Sequence, residues 1–184
     1  CRSAIEDAST GLNVTMVSSG DSGIYGMAGI IYQLVEEMNA DIELDVVPGV
    51  TAASAAASIL GAPLMHDLAI ISLSDLLTPY DLIMKRIDSA GAGDLIVCLY
   101  NPRSKTRKEH LPEAVKILLK HRSPETPVGI VRNARREDET SIISTLGSMP
   151  YDEVDMFSIV IVGNSQTYVS DGKMITPRGY EVKK

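Results

Sequence analysis

Apolar positions along the chain follow two periods that alternate from one segment to the next. Short, nearly continuous apolar runs are typical of strands, and they are separated by segments in which apolar side chains recur every three to four residues, as in helices. Strands are predicted at residues 13–18, 42–47, 69–73, 94–100, 127–132, 141–146 and 157–162. Helices are predicted at residues 24–38, 51–58, 79–90 and 112–121. Continuous apolar strands that alternate with helices indicate a sheet covered on both faces, so the fold class is α/β.

A break in this alternation at Gly61-Ala-Pro63 predicts a domain boundary. The first α/β domain would comprise residues 1–62 and the second residues 63–184. Residues 1–8 have the pattern of the end of a helix, so we expect the sequence to begin within the fold rather than at its first element.

Basic residues are clustered in a chain that is acidic overall. The formal net charge of −7 argues against a general nucleic-acid binder, because phosphate neutralisation needs an excess of Lys and Arg. The clustered basic residues are Arg103, Lys105, Arg107 and Lys108 in a first segment and Arg132, Arg135 and Arg136 in a second. These segments are either two solvated loops or a local site for a small polyanion, and charge alone leaves both interpretations open.

Composition adds expectations about the compartment. With 45% hydrophobic and 22% charged residues the chain is typical of a soluble globular protein, and no stretch is apolar for long enough to span a membrane. Two cysteines make no disulfide framework, and neither they nor the three histidines have the spacing of metal ligands. We therefore expect a cytoplasmic protein without a metal site or a membrane partner.

Small and polar residues follow four of the predicted strands, at the end of an α/β sheet where ligands bind. After the first strand, Asp21 either accepts hydrogen bonds from a ligand ribose or amine or simply caps the next helix. After the second, Thr51 either opens a helix whose free N–H groups receive a polar ligand or is a plain N-cap. The third and fourth loops lead into the two basic segments. No nucleophile–base motif and no P-loop is visible, which favours chemistry by positioning a reactive cosubstrate.

Six segments, in order along the chain, resemble the tetrapyrrole methylases, the S-adenosylmethionine-dependent methyltransferases of corrin and sirohaem synthesis. Residues 19–26 (SGDSGIYG) resemble the family loop S/G-G-D-P-x-x-Y-G, with Ser22 in place of the usual proline, and residues 48–54 (PGVTAAS) resemble its P-G-x-T/S-A motif. The other four are similar to the precorrin-3B C(17)-methyltransferase branch, which includes the cobalt-factor III enzymes: residues 71–79, 99–104, 128–134 and 176–180.

The resemblance implies a two-domain fold with a mainly parallel sheet in the first domain and a mixed sheet in the second, and a homodimer. It also implies a strand and a glycine-rich G-x-G-P-G loop that nothing in the sequence matches, so we expect a fold truncated at its N-terminus. The implied activity is S-adenosylmethionine-dependent C-methylation in cobalamin biosynthesis, at ring carbon 17 of precorrin-3B or cobalt-factor III, coupled to ring contraction. Whether the tetrapyrrole carries cobalt stays open.

The resemblance also implies roles for individual positions. The implied S-adenosylmethionine-binding residues are Ser19, Gly20, Asp21, Ile24, Thr51 and Ala52 in the first domain and Tyr100, Asn101, Asn133 and Ala134 in the second. Precorrins carry many carboxylates, so the expected substrate-binding residues are Arg103, Arg107, Arg132 and Arg135. No catalytic acid or base is assigned; His66 and Asp75 are candidates for which we favour a structural role.

Two alternatives to this function stay open. The same fold could act on another acceptor, namely another precorrin carbon, a diphthamide precursor or ribosomal RNA, the last of which the net charge disfavours. A protein of a different class, a truncated non-catalytic remnant that binds a tetrapyrrole or dimerises, would be distinguished by its failure to bind S-adenosylhomocysteine.

Overall fold

The computed structural model describes residues 1–180, and the chain divides into two compact units, Cys1–Ala52 and Ala53–Lys184, called here the N-terminal and C-terminal units. The predicted boundary between residues 62 and 63 stays a prediction. The helices are α1 (Arg2–Ser9), α2 (Ala28–Met38), α3 (Ala52–Leu60), α4 (Tyr80–Ala92) and α5 (His110–Leu118). The strands are β1 (Gly61–Ala62), β2 (Leu68–Ser72), β3 (Ile96–Tyr100), β4 (Pro127–Arg132), β5 (Thr140–Thr145), β6 (Ser158–Val162), β7 (Tyr168–Ser170) and β8 (Lys173–Ile175). None of the helices in the described part of the chain combines the length and apolar character needed to cross a bilayer.

The N-terminal unit consists of α1, α2 and the loops around them. The structure assigns no strand to residues 13–18 or 42–47, so the expected parallel sheet is not formed in this unit. A strand exists only where a neighbouring backbone pairs with it, and these two segments make no backbone hydrogen bond to each other or to any other described residue. Ile5 of α1 is the one buried side chain among residues 1–52, all of which the structure describes.

α2 begins at Ala28, later than Ile24, where the apolar pattern starts. The preceding loop has its own hydrogen bonds, among them one from the N–H of Ile24 to the carbonyl of Asp21. Tyr25 has a φ of +55°, a left-handed conformation that interrupts a regular helix. The helix ends at Met38, and the next residue, Asn39, is also left-handed with a φ of +48°, a common way to terminate a helix.

The C-terminal unit contains a five-stranded mixed sheet, which confirms the sheet type that the resemblance implies for the second domain. Its strand order is β2-β3-β6-β4-β5, with β2 and β3 parallel and every other neighbouring pair antiparallel. A second, three-stranded sheet has the order β1-β8-β7. Because β3 and β4 both run antiparallel to β6, which lies between them, β2, β3 and β4 point in one direction and end at the same edge of the sheet.

α4 and α5 cover one face of the five-stranded sheet. Val97, Leu99 and Val160 of the central strands pack with Ile83 of α4 and Leu118 of α5 in one apolar core. Complete burial of an aliphatic side chain contributes about 1.5–3 kcal/mol by removing it from water. This core is therefore the main source of stability in the C-terminal unit.

α3 and β8 reach the opposite face of the same sheet at a glycine in the middle of β4. A Cβ atom at Gly129 would lie 2.3 Å from Cδ1 of Leu60 and 2.8 Å from Sδ of Met174, so only glycine leaves room for these two buried side chains. α3 consists mostly of alanine and serine, and its small side chains allow the helix to approach the sheet closely.

A buried arginine joins the connections at the edge opposite the ends of β2, β3 and β4. The guanidinium of Arg122 donates hydrogen bonds to the carbonyls of Ala90, Leu95 and Gly163. Burial lowers the pKa of Arg122 from that of an ordinary arginine. The carbonyl of Ala90 also accepts from the N–H of Leu95, whereas the guanidinium is the donor for the carbonyls of Leu95 and Gly163, so Arg122 fixes the end of α4 to the sheet.

Candidate functional site

In the N-terminal unit, the carboxylate of Asp21 joins the loop after residues 13–18 to the loop after residues 42–47. One carboxylate oxygen accepts a hydrogen bond from the N–H of Gly23 at 2.8 Å, and the other accepts from the N–H of Gly49 at 2.9 Å. The bonds from Gly49 and Gly23 lower the pKa of the Asp21 carboxyl, so it is ionised at neutral pH. Asp21 thus holds the two loops together, a role that the sequence did not indicate.

Two glycines allow these loops to touch. A Cβ atom at Gly49 would lie 2.2 Å from the carbonyl oxygen of Gly20, so no other residue fits there. Gly20 has a φ of +77°, which favours glycine, and a Cβ atom on it would lie 3.9 Å from Cα of Thr51. The structure therefore places Gly20 and Asp21 beside Thr51.

The remaining residues predicted from the first domain are close to this contact in the chain. Ser19 and Ile24 belong to the same loop as Asp21, and both are exposed to solvent. Ala52 follows Thr51 and is the first residue of α3. The loops joined by Asp21, called here the loop pair, thus carry the predicted residues of this unit in one place.

In the C-terminal unit, the residues predicted as donor contacts lie along the shared edge of the sheet. Tyr100 is the last residue of β3 and Asn101 follows it, whereas Asn133 and Ala134 follow β4. β6 lies between these strands, so their ends are about 10 Å apart at a spacing of ~4.8 Å per strand. The hydroxyl of Tyr100 also accepts a hydrogen bond at 2.8 Å from the N–H of Ala53 near the start of α3.

Asn101 and Asn133 occupy equivalent positions in their loops. Their φ angles are +50° and +51°, a left-handed conformation that asparagine adopts more readily than most residues. The side-chain amide of Asn101 donates to the hydroxyl of Ser72 at 3.0 Å, which ties this loop to the end of β2. The N–H of Asn133 donates to the carbonyl of Phe157 at 3.1 Å, which ties the other loop to the start of β6.

The arginines of the first basic segment are engaged within the protein. Arg103 donates to the carbonyl of Tyr151 at 2.5 Å. Arg107, whose side chain is 10% exposed, donates to the carbonyl of Asn101 at 2.7 Å and lies 3.9 Å from the carboxylate of Asp75. Arg107 thus holds the loop after β3 in shape, and a contact between either arginine and a substrate stays a prediction.

Arg132, at the end of β4, is paired with Asp155, a carboxylate that no sequence motif indicated. Its Nε donates to Asp155 at 2.7 Å, and its guanidinium lies 5.8 Å from the ring centroid of Phe157. Burial raises the pKa of the Asp155 carboxyl, but hydrogen bonds from Arg132, Ser158 and Phe157 outweigh this effect and hold the pKa below its ordinary value. Only the strand order, which places β6 beside β4, brings Asp155 to this position.

Four further cations lie in the same two segments, namely Lys105, Lys108, Arg135 and Arg136. Arg135 donates to the hydroxyl of Ser58 at 2.9 Å. Lys105 and Lys108 are exposed and have no partner among residues 1–180. These two lysines are available to a polyanion, and their clustering in the sequence is the signal that pointed to them.

The two acid–base candidates lie at opposite edges of the sheet. His66 precedes β2, whereas Asp75 follows β2 and so lies at the edge where the loops meet. The Asp75 carboxylate lies 3.6 Å from Nε2 of His110, a residue that the sequence analysis did not select. The Nδ1 of His110 lies 2.9 Å from the carbonyl oxygen of Leu73. Because a carbonyl oxygen can only accept, the Nδ1–H group donates this hydrogen bond.

Together these features define an α/β protein with closely packed glycines in the loops of its N-terminal unit and, within its C-terminal unit, cations in the loops that follow strands. The family of tetrapyrrole (corrin/porphyrin) methylases matches residues 1–150, and the chain belongs to that family.

Curated relatives cover almost the whole chain. A probable cobalt-factor III C(17)-methyltransferase of Salmonella typhimurium is 56% identical over 180 residues, which are 98% of this chain and 75% of that protein. A second protein of that description, from Methanothermobacter thermautotrophicus, is 51% identical over 98% of this chain and 50% of its own length. Among solved structures, the methyltransferase CobJ matches with a TM-score of 0.89 and 34% identity, over 94% of this chain and 73% of that one. The chain thus spans between half and three quarters of the length of these three relatives.

Proposed function

We propose that the protein is an S-adenosylmethionine-dependent C-methyltransferase of corrin biosynthesis, which methylates ring carbon 17 of precorrin-3B or cobalt-factor III with coupled contraction of the ring. The observation that carries this proposal is the 56% identity, over 98% of the chain, to a probable cobalt-factor III C(17)-methyltransferase. The TM-score of 0.89 to CobJ supports the same class of reaction.

The loop pair of the N-terminal unit is the proposed site for the methyl donor. When bound, S-adenosylmethionine supplies an electrophilic methyl group on a positively charged sulfonium. The residues present fit this group, because Gly20 and Gly49 add no side chain at the contact and the exposed loop backbone offers hydrogen-bonding groups. The charge of Asp21 is already satisfied by two N–H groups. A surrounding of neutral backbone groups suits a transfer in which the sulfonium loses its charge.

The shared edge of the C-terminal sheet is the proposed region for the remaining donor contacts and for the tetrapyrrole. Tyr100, Asn101, Asn133 and Ala134 would contact the donor. Carboxylates of the macrocycle would bind the cations of the two basic segments: Arg103, Arg107, Arg132 and Arg135, together with the exposed Lys105 and Lys108. Because most of these arginines also hold the protein's own loops, we expect the charges to orient the macrocycle more than they increase affinity.

The setting of this activity is also proposed. A homodimer follows from the resemblance to the family. A cytoplasmic location is consistent with the free thiols of Cys1 and Cys98, since reducing compartments keep thiols unpaired.

Calorimetry with S-adenosylhomocysteine tests donor binding by the chain as it stands. We expect the wild type to bind with a micromolar Kd. Asp21→Ala removes the acceptor of the N–H groups of Gly23 and Gly49, so the loop pair loses its connection and the affinity should fall roughly tenfold or more.

Asp41→Ala is the matched control. Asp41 is exposed, lies in the same unit and has no partner among residues 1–180, so the change in charge is the same without a change in the loops. This variant should bind like the wild type. A wild type that produces no heat would favour the non-catalytic remnant, and equal binding by Asp21→Ala would remove the loop pair from the donor site.

A further inference from the structure

Two pairs of exposed apolar side chains lie at the shared edge of the C-terminal sheet. Leu76 and Leu77, called here the leucine pair, follow β2 and are 85% and 96% exposed. Met156 and Phe157, called here the Met–Phe pair, precede β6 and are 45% and 65% exposed. β6 runs antiparallel to β3, so its start lies at the edge where β2 and β3 end. Neither pair belongs to the apolar core under α4 and α5, so these side chains are not needed to fill it.

The cationic loop after β3 starts between these two pairs, because the strand order is β2-β3-β6. Arg107 of this loop reaches both neighbouring loops. Its guanidinium lies 3.9 Å from the carboxylate of Asp75, the residue before the leucine pair, and 3.9 Å from Sδ of Met156. At a spacing of ~4.8 Å per strand, the end of β2 and the start of β6 are about 10 Å apart. One planar ring system of tetrapyrrole size spans that distance, whereas a single small ring does not.

Charge favours the loop after β3 over the loop after β4 as the anchor for carboxylates. Residues 101–109 contain four Lys or Arg and one Glu, a formal charge of +3. Residues 133–139 contain two Arg and three Asp or Glu, a formal charge of −1. Lys105 and Lys108 are exposed and have no partner in the part of the chain that the structure describes. A ligand that engages these lysines should be anionic at its rim and apolar where it meets the pairs on either side.

The ring of Phe157 is available to a ligand because the backbone holds this residue in place. Its N–H donates to the Asp155 carboxylate at 2.9 Å, and its carbonyl accepts from the N–H of Asn133 at 3.1 Å. The guanidinium of Arg132 lies 5.8 Å from the ring centroid but is held independently by Asp155. Single exposed apolar side chains are common in soluble proteins, whereas adjacent ones beside unpartnered cations are typical of a binding surface.

We propose that the leucine pair and the Met–Phe pair determine acceptor specificity: both contact the apolar face of one planar macrocycle, while Lys105 and Lys108 between them bind carboxylates at its rim. The inference rests on the proposed function for the class of ligand and adds the side chains that select it. A nucleobase or a flexible side chain covers one pair but not both, so this surface favours a macrocycle over the other acceptors. Binding is measured without methyl transfer, so this proposal and the proposed function can fail separately.

Fluorescence titration of the full chain with uroporphyrin I tests this proposal. Uroporphyrin is a planar macrocycle with carboxylates around its rim, and no methyl donor is added. The wild type should bind it saturably. Leu77→Ala and Phe157→Ala should each weaken binding about fivefold or more, because each removes apolar surface that the macrocycle covers. Lys105→Gln combined with Lys108→Gln should also weaken binding, and this loss should shrink as the salt concentration rises.

Tyr168→Ala is the matched control. Tyr168 is an aromatic residue that is 48% exposed, but it belongs to β7 in the three-stranded sheet, so this variant should bind uroporphyrin like the wild type. Phe157→Leu keeps an apolar side chain and should retain more affinity than Phe157→Ala. An end-capped glutamate peptide with as many carboxylates as uroporphyrin supplies the charge without the ring, and it should bind about tenfold more weakly. The far-UV circular dichroism of each variant should match that of the wild type.

The proposal is supported if Leu77→Ala and Phe157→Ala both weaken uroporphyrin binding while Tyr168→Ala does not. It is overturned if the wild type does not bind uroporphyrin, if only one of the two alanine variants loses affinity, or if Tyr168→Ala loses as much. Equal binding of the glutamate peptide also overturns it, because charge alone would then account for recognition. A chain that binds uroporphyrin as expected but transfers no methyl group to a precorrin would refute the proposed function and leave this proposal standing.

Discussion

Gly129 of β4 is a position where a single methyl group should destabilise the C-terminal unit. Its neighbours in the strand, Val128 and Ile130, face the core under α4 and α5, so Gly129 faces the opposite side. There a Cβ atom would lie 2.3 Å from Cδ1 and 2.8 Å from Cδ2 of Leu60, and 2.8 Å from Sδ of Met174. Leu60 is 2% exposed and Met174 is fully buried, so neither side chain can turn into solvent.

The size of the effect follows from the cost of overpacking. Forcing an additional carbon into a filled core costs about 1–3 kcal/mol, whereas replacing glycine by alanine in a strand returns roughly 0.5–1 kcal/mol of backbone entropy. We expect Gly129→Ala to lower the free energy of unfolding by about 1–2 kcal/mol. For a unit of this size that corresponds to a Tm lower by roughly 3–8 °C.

Thermal and urea unfolding followed by far-UV circular dichroism measure this effect, and a double-mutant cycle with Leu60→Ala tests its cause. Leu60→Ala alone should cost about 2–5 kcal/mol because it leaves a cavity. In that background the two contacts with Leu60 are gone and only Met174 remains close to the new methyl group, so Gly129→Ala should cost clearly less than in the wild type. Gly29→Ala is a control in α2, where a Cβ atom meets nothing within 4 Å and no loss is expected. If Gly129→Ala costs the same in both backgrounds, the steric explanation is wrong.

Two further predictions concern charged side chains of the C-terminal unit. Arg122→Met leaves the carbonyls of Leu95 and Gly163 without the guanidinium donor and should lower the free energy of unfolding by about 3 kcal/mol or more in urea denaturation; a loss below about 1 kcal/mol would mean that water replaces the guanidinium. Asp155→Asn should lower the urea midpoint at neutral pH, because the pKa of Asp155 is depressed in the folded protein and its ionised form is stabilising above the ordinary value of 3.8. The difference from wild type should shrink as pH falls through the depressed pKa, and a difference that stays constant from pH 7 to pH 3 would contradict this cause.

Sequence periodicity predicts the centre of the C-terminal unit well because its central strands are buried on both faces. The apolar runs that became β3, β4 and β6 are each covered by helices or by α3 and β8, so their composition reports burial directly. β1, β7 and β8 were not predicted. Each has two or three residues, too few for a period to emerge, and the pairing of β1 with β8 joins Gly61 to Met174, which are far apart in the sequence.

The N-terminal unit shows that a strand-like sequence pattern carries no information about the partner with which a strand must pair. Residues 13–18 and 42–47 have suitable composition, but a strand also needs a second backbone segment beside it, and neither segment has a backbone partner among residues 1–180. The same limit applies to the candidate site. Motifs located the loops around Gly20, Asn101 and Asn133, whereas the partners of the arginines depend on strand order, and no local pattern places Asp155 beside Arg132.

The left-handed asparagines have a consequence for attempts to direct the proposed methyl transfer to a different acceptor. The left-handed backbone of Asn101 and of Asn133 sets the direction in which each loop leaves its strand. The hydrogen bonds of these asparagines to Ser72 and Phe157 do not involve the exposed Lys105 and Lys108. A combinatorial library could therefore randomise Lys105, Thr106 and Lys108 while both asparagines are kept constant. Selectivity could then be evolved without redesigning the scaffold that carries it.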